Sequence, residues 1–141
     1  MKTSARNALR GVVSEVIDGA VNAEVTLKIG DGAKVVAIVT RQSVQDMGLA
    51  PGKEAIALIK ASLVLIAKGD GPLAISARNR LPGTIARIEE GAVNDEIALE
   101  IAPGKVLAAT ITRQSVADLD LKVGDPATAL IKASHVILAV E

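Results

Sequence analysis

Ser4-Ala5-Arg6-Asn7 recurs as Ser76-Ala77-Arg78-Asn79, and this recurrence at an offset of 72 decides how the rest of the chain is read. The same offset lays Gly19-Ala20-Val21-Asn22 on Gly91-Ala92-Val93-Asn94 and Thr40-Arg41-Gln42-Ser43-Val44 on Thr112-Arg113-Gln114-Ser115-Val116. It also lays Ile59-Lys60-Ala61-Ser62 on Ile131-Lys132-Ala133-Ser134. Aligning residues 1–69 with 73–141 needs no gap and gives 32 identities in 69 positions, so the chain is a tandem duplication. The units are expected at 1–68 and 73–141, joined by a turn-rich linker, Gly69–Pro72. Apolar positions drift between the copies (Val12 to Thr84, Val35 to Leu107, Met47 to Leu119), whereas the retained clusters hold hydroxyls, amides, one Arg and one Lys. Cores tolerate swaps of similar volume; a polar site needs particular atoms.

Each copy reads as five short strands with one short helix between the third and fourth. Leu9–Ile17 is rich in Val and Ile, with Gly11 as a bulge or close-approach point. Ala23, Val25, Leu27 and Ile29 alternate with Glu24, Thr26 and Lys28, the period of a half-buried strand. Gly30-Asp31-Gly32 turns into a third strand at Lys34–Val39. Thr40 suits a helix N-cap, Arg41–Met47 a short helix, and Gly48 its stop. Glu54–Lys60 and Leu63–Ile66 supply the remaining strands. The second copy repeats the order at Leu81–Ile88, Asp95–Ile101, Val106–Ile111, a helix from Arg113, Ala127–Lys132 and Val136–Val140. The expected fold is all-β: two tandem OB-like five-stranded barrels.

Composition narrows the function. Units of about 70 residues bury little surface, and this chain has no cysteine to staple them and no Phe, Tyr or Trp to fill a core. The halves are therefore expected to lean on each other and on further copies. Sixteen basic and sixteen acidic side chains balance, which gives no pull toward a polyanion. The apolar run Ala55–Ala67, interrupted by Lys60, is too short for a bilayer. The N-terminus lacks the apolar stretch of a signal peptide, so a cytoplasmic location is expected.

The retained polar set is Ser4, Arg6, Thr40, Ser43, Lys60 and Ser62, with counterparts Ser76, Arg78, Thr112, Ser115, Lys132 and Ser134. All can donate hydrogen bonds, and no carboxylate, His or Cys is among them. Arg offers a planar fork and Lys a point charge, so the set suits a tetrahedral oxyanion. It does not suit a hard cation, which takes carboxylate oxygens, or zinc, which takes thiolate or imidazole. Singly, each residue has a plainer role: Thr40 and Ser43 as a helix start, Arg6 and Lys60 as solvated strand ends, Asn22 as a turn former. His135 faces Leu63 in the other copy, which favours a packing or surface role. Recurrence of every cluster at one offset is what the plain roles leave unexplained.

Ser-Ala-Arg-Asn, Gly-Ala-Val-Asn, Thr-x-x-Ser and Ile-Lys-Ala-Ser, in this order, resemble the Mop domain, and a tandem pair filling the chain resembles a di-Mop molbindin. The resemblance implies a cytoplasmic molybdate- or tungstate-binding protein, an OB-like barrel per repeat, and a trimer of tandem chains with oxyanions at domain and subunit interfaces. It implies one class of site from Ser4, Ala5 (backbone N–H) and Arg6 with Thr40, Ser43, Lys60 and Ala61. The second set is Ser76, Ala77 and Arg78 with Thr112, Ser115, Lys132 and Ala133. Further sites near the symmetry axis would use Ala20, Val21 and Asn22, and Ala92, Val93 and Asn94. The metal would be bound only as its oxyanion, with no cofactor. One departure is Asp95, where the first copy has Ala23. A carboxylate facing the axis would repel an anion, although alternation should turn Asn94 and Asp95 opposite ways.

Reversible oxyanion storage is thus the leading expectation. A regulatory or assembly module acting in trans is the alternative, because Mop domains resemble the sensing parts of molybdate-responsive regulators. Nucleic-acid binding by the OB fold would need stacking aromatics and a basic groove, and both are missing from the sequence. One His, no Cys and no matched carboxylate pair argue against an enzyme, while zero net charge without aromatics argues against nucleic-acid partners and the short apolar run against membrane partners.

Overall fold

A computed structural model describes residues 1–141. Ten strands form two curled five-stranded sheets, each a half-barrel. The first copy contributes β1 (Asn7–Asp18), β2 (Asn22–Gly30), β3 (Ala33–Thr40), α1 (Arg41–Met47), β4 (Glu54–Ile59) and β5 (Leu65–Lys68). The second contributes β6 (Asn79–Glu89), β7 (Asn94–Ala102), β8 (Lys105–Thr112), α2 (Arg113–Asp118), β9 (Pro126–Ile131) and β10 (Ile137–Ala139). A 3-10 turn precedes each fifth strand, at Ala61–Leu63 and Ala133–His135. The all-β plan with one short α-helix per copy is as expected. Leu63, expected in a strand, lies instead in the first of these turns, because Leu63 N–H bonds back to the Lys60 carbonyl at 2.9 Å.

The strands do not stay within their own copies. The sheet orders are β10-β4-β1-β2-β3 and β5-β9-β6-β7-β8, so each half borrows the other's fifth strand. Ile137, Leu138 and Ala139 pair with Leu58, Ala57 and Ile56, while Leu65 to Lys68 pair with Leu130 to Ala127. The 3-10 turns redirect the chain away from the sheet it has just left. The exchange continues in the interior, where 25 buried side chains from both copies form one cluster rather than two. It includes Val25, Leu27, Val35 and Ile59 beside Ile97, Leu99, Leu107 and Ile131. Sharing one core answers the shortage of surface that a 70-residue unit without aromatics would face.

β1 carries the curl. It pairs with β4 along Asn7–Val12 and with β2 along Val12–Asp18, with a bulge between Val13 and Glu15. Where it changes partners, Gly11 lies so close to β2 that a Cβ would sit 2.2 Å from the Lys28 carbonyl oxygen. Gly83 on β6 meets the Glu100 carbonyl identically. Glycine is needed there for the close approach of two backbones.

The fourth residue of the opening motif locks the halves together. Asn7 is 3% exposed; its Nδ2 donates to the Ala108 carbonyl (2.8 Å) and its Oδ1 accepts from Ala108 N–H (2.7 Å). Asn79 does the same to Val36, at 2.8 and 2.7 Å. β3 and β8 are the outer strands of their sheets, so each asparagine amide stands in for a missing strand neighbour.

Candidate functional site

The residues singled out in the sequence gather in two clusters per copy. In the first, the β1–β4 ladder ends at the pair Asn7–Ile59, which brings Ser4-Ala5-Arg6 alongside Lys60-Ala61-Ser62. The β6–β9 ladder ends at Asn79–Ile131 and does the same for Ser76-Ala77-Arg78 and Lys132-Ala133-Ser134. Ser4, Arg6, Lys60 and Ser62 are exposed, as are Ser76, Arg78, Lys132 and Ser134, while Ala61 and Ala133 are buried beneath them. Ala5 N–H donates to its neighbour Thr3 Oγ1 at 3.3 Å. Both 3-10 turns pack on the opposite copy, Ala61–Leu63 against β8 and Ala133–His135 against β3. Each cluster therefore sits at the seam between copies.

The second cluster joins the glycine loop to the helix start. Asn22 pairs with Thr40, and Arg41 N–H donates to the Val21 carbonyl at 2.8 Å; Asn94, Thr112, Arg113 and Val93 repeat this, the last bond at 2.9 Å. Thr40 is extended (φ −74°, ψ 150°) and its Oγ1 accepts from Ser43 N–H at 3.0 Å, an N-cap as expected. The two hydroxyls also bond each other at 2.8 Å, as do Thr112 and Ser115. Ala20, Val21 and Asn22 stay exposed, Val21 by 71% and its counterpart Val93 by 72%. No hydrogen bond or ion pair joins this cluster to the Arg6–Lys60 cluster of the same chain.

Asp95 turns inward. It is 4% exposed, its Oδ1 accepts from Gly91 N–H at 3.1 Å, and Arg113 Nε lies 3.7 Å away. Asn94 beside it is exposed, so the two face opposite ways as alternation requires. The first copy closes the same loop with backbone alone, Gly19 N–H to the Asn22 carbonyl at 2.8 Å over a buried Ala23. Because that closure needs no carboxylate, Asp95→Ala is expected to change stability by less than about 1 kcal/mol. Urea unfolding followed by far-UV circular dichroism measures it, and a loss above about 2 kcal/mol would make Asp95 a structural requirement of its loop.

Sequence reasoning passed over two acidic partners. Arg6 Nη2 lies 2.6 Å from Glu96 Oε1 on β7, and Arg78 Nη2 lies 2.5 Å from Glu24 Oε1 on β2. Glu24 and Glu96 are equivalent positions at the 72 offset, so the signal was present in the repeat. Each carboxylate reaches across the seam and uses one guanidinium nitrogen, leaving Nε and Nη1 donors to spare. Elsewhere, hydrogen bonding to Arg10, its positive charge and the N-terminal ammonium hold the Glu141 carboxyl below the ordinary carboxylate range. No group of three or more His, Cys, Asp or Glu side chains converges, and no helix is long and apolar enough to cross a membrane.

Comparison with known proteins meets this geometry at the duplication: the TOBE domain model matches residues 3–66 and again 75–138. The chain belongs to the TOBE-domain family. Its two TOBE domains, of the Mop type, are 53% identical over 139 residues to the molybdenum-pterin-binding protein MopA of Rhodobacter capsulatus. That match covers 99% of this chain and 52% of MopA. The molybdenum transport protein ModE of Herbaspirillum seropedicae is 39% identical over 141 residues, 100% of this chain and 52% of the relative. The chain thus spans about half the length of the curated relatives it matches. A solved structure of ModG, a cytoplasmic molybdate-binding protein with molybdate bound, superposes with a TM-score of 0.95 at 47% identity, covering both chains fully. The two half-barrels are therefore the tandem TOBE fold of ModG.

Proposed function

We propose that the chain binds molybdate or tungstate reversibly and holds it in store, as a cytoplasmic homotrimer without catalysis. The observation that carries this reading is the seam cluster. One ladder end lays the segment Ser4–Arg6 beside Lys60–Ser62, with the side chains of Ser4, Arg6, Lys60 and Ser62 exposed, and the second copy repeats the arrangement. A doubly charged tetrahedral oxyanion accepts from every such donor, and charge-assisted hydrogen bonds are the strong ones. Thr40 and Ser43, whose hydroxyls satisfy each other within the chain, would complete the shell from a neighbouring copy, with Ala5 and Ala61 supplying backbone N–H groups. Ser76, Ala77, Arg78, Thr112, Ser115, Lys132, Ala133 and Ser134 form the second set. The exposed loops Ala20–Asn22 and Ala92–Asn94 are proposed as axial sites. The inward turn of Asp95 removes the geometric objection to the second of these, since its carboxylate is spent on Gly91 and Arg113. The likeness to ModG, which binds molybdate, supports the same reading.

Native mass spectrometry with molybdate, tungstate and sulfate tests it. A trimer that gains several molybdates or tungstates and no sulfate is the expected result; an oligomer indifferent to all three would sink the proposal. Arg6→Ala and Lys60→Ala should each weaken molybdate binding by on the order of 1.5–3 kcal/mol, roughly ten- to a hundredfold. Calorimetric titration measures this, and parent-like affinity in both variants would mean the anion sits elsewhere.

The 36% identity to the transcriptional regulator ModE of Yersinia pestis favours a second reading, in which the anion-loaded chain signals to a partner in trans. A pull-down with and without molybdate separates the two, since storage alone predicts no anion-dependent capture.

A further inference from the structure

The two seam clusters are built from equivalent residues, yet their surroundings carry opposite charges at one pair of positions. Beside the Arg6–Glu96 pair stands Arg87, whose Nη2 lies 3.5 Å from Glu96 Oε1. The equivalent residue beside the Arg78–Glu24 pair is Glu15, which lines the same cleft of about 720 Å³ as Glu24 and Arg78. One carboxylate is thus shared between two guanidiniums, while the other stands next to a second carboxylate.

The remaining charges do not cancel this difference. The cleft around Arg78 is lined by Glu15, Glu24 and Asp31 against Lys34, Arg78 and Arg80, a balance of zero. Arg80 is moreover turned back onto its own segment, with Nη2 donating to the Ile75 carbonyl at 2.7 Å and Nε to the Ala77 carbonyl at 3.4 Å. In the other half, the equivalents of Asp31, Lys34 and Arg80 are Pro103, Val106 and Ala8. The equivalents of Ile17, Ala33, Pro82 and Pro103 add Glu89, Lys105, Arg10 and Asp31, so Arg6, Arg10, Arg87 and Lys105 stand against Asp31, Glu89 and Glu96, a balance of +1. Lys60 and Lys132 contribute equally to the two sides.

We propose that positions 15 and 87 make the two seam sites unequal, so that the site at Arg6 takes a doubly charged oxyanion first and the site at Arg78 fills second. Glu96 and Glu24 act as positioning residues that aim each arginine across the seam. Arg87 offsets the carboxylate's repulsion of the incoming anion, and Glu15 adds to the repulsion at the other site. The inference rests on the oxyanion reading above. It adds an order of filling that duplicated motifs alone would not give.

Titration of the full chain with sodium molybdate at low ionic strength tests it, with Arg87→Glu and Glu15→Arg beside the parent. Both positions are exposed, and far-UV circular dichroism verifies the fold of each variant. The parent's seam sites should resolve as two affinity classes. Arg87→Glu should weaken the tighter class by about three- to tenfold, and Glu15→Arg should tighten the weaker class by a similar factor, as expected for a charge reversal at roughly 10 Å from a dianion. Added salt should shrink both effects. Three superimposable isotherms, or a change in only one variant, would overturn the inequality while leaving oxyanion binding standing. Absence of binding in all three proteins would overturn both.

Discussion

Removing the Asn7 side chain, as Asn7→Ala, is expected to cost the whole fold about 2–4 kcal/mol. The change deletes two short hydrogen bonds to Ala108 and leaves that residue's N–H and C=O without partners on the outer strand of its sheet. An unmade bond at a covered backbone group costs more than the net worth of the bond. Asn7→Asp is the informative companion: a carboxylate can still accept from Ala108 N–H but cannot donate to its carbonyl when ionised. Asn79→Ala should cost a similar amount through Val36, and the double variant should show the two losses adding, since the sites share no partner. With no Tyr or Trp to report by fluorescence, urea unfolding is followed by far-UV circular dichroism. A loss under about 1 kcal/mol for each single variant would mean the asparagines are not what locks the halves.

Gly11→Ala should be at least as damaging, by about 3 kcal/mol, although it adds only a methyl group. The new Cβ would lie 2.2 Å from the Lys28 carbonyl oxygen and 2.9 Å from its carbon. Both are backbone atoms in the middle of a ladder, so neither can swing aside, and β1 would have to move off β2 where it changes partners. Gly83→Ala faces the same obstacle at Glu100. Gly71→Ala is the control: nothing lies within 4 Å of its added Cβ, so it should stay within about 0.5 kcal/mol of the parent. If Gly11→Ala and Gly71→Ala unfolded at the same urea concentration, close backbone approach would not be what holds glycine at position 11.

Local chemistry made most of the fold legible. Thr40 and Gly48 bracket a helix whose bounds, Arg41–Met47, match the expectation because cap and stop are both encoded in single residues; Gly48 takes φ 63°. Strict alternation from Ala23 to Ile29 placed β2 within a residue at each end. The exchange of fifth strands was not legible, and the reason is physical. Leu65 and Ile137 sit at equivalent positions in similarly apolar segments, so hydrophobic periodicity is satisfied equally by β4 and by β9. Only the path of the chain through the 3-10 turns selects between them. The site was legible as a list of donors, since recurrence picks out Arg6, Lys60, Thr40 and their counterparts. How they group was not, because grouping depends on which ladder ends beside which. Glu24 and Glu96 recur at the same offset but lie outside the four motifs, so they were passed over. Their orientation of the arginines could be seen only once the halves were packed together.

The borrowed strands also bear on how such a duplicated sequence can change over generations. Leu138 is numbered at the end of the second copy, yet it pairs with Ala57 in the first copy's sheet. A substitution in either tail is therefore felt by the opposite half, and each β4-type strand is selected to fit a distant segment, about 80 positions away for β4 and about 60 for β9. The copies are free to diverge in their loops and surface charges, as Glu15 and Arg87 have done, but not in the match between one copy's tail and the other's fourth strand. Neither can be lost or replaced alone without leaving its sibling a strand short, so the duplication is held in place by its own geometry.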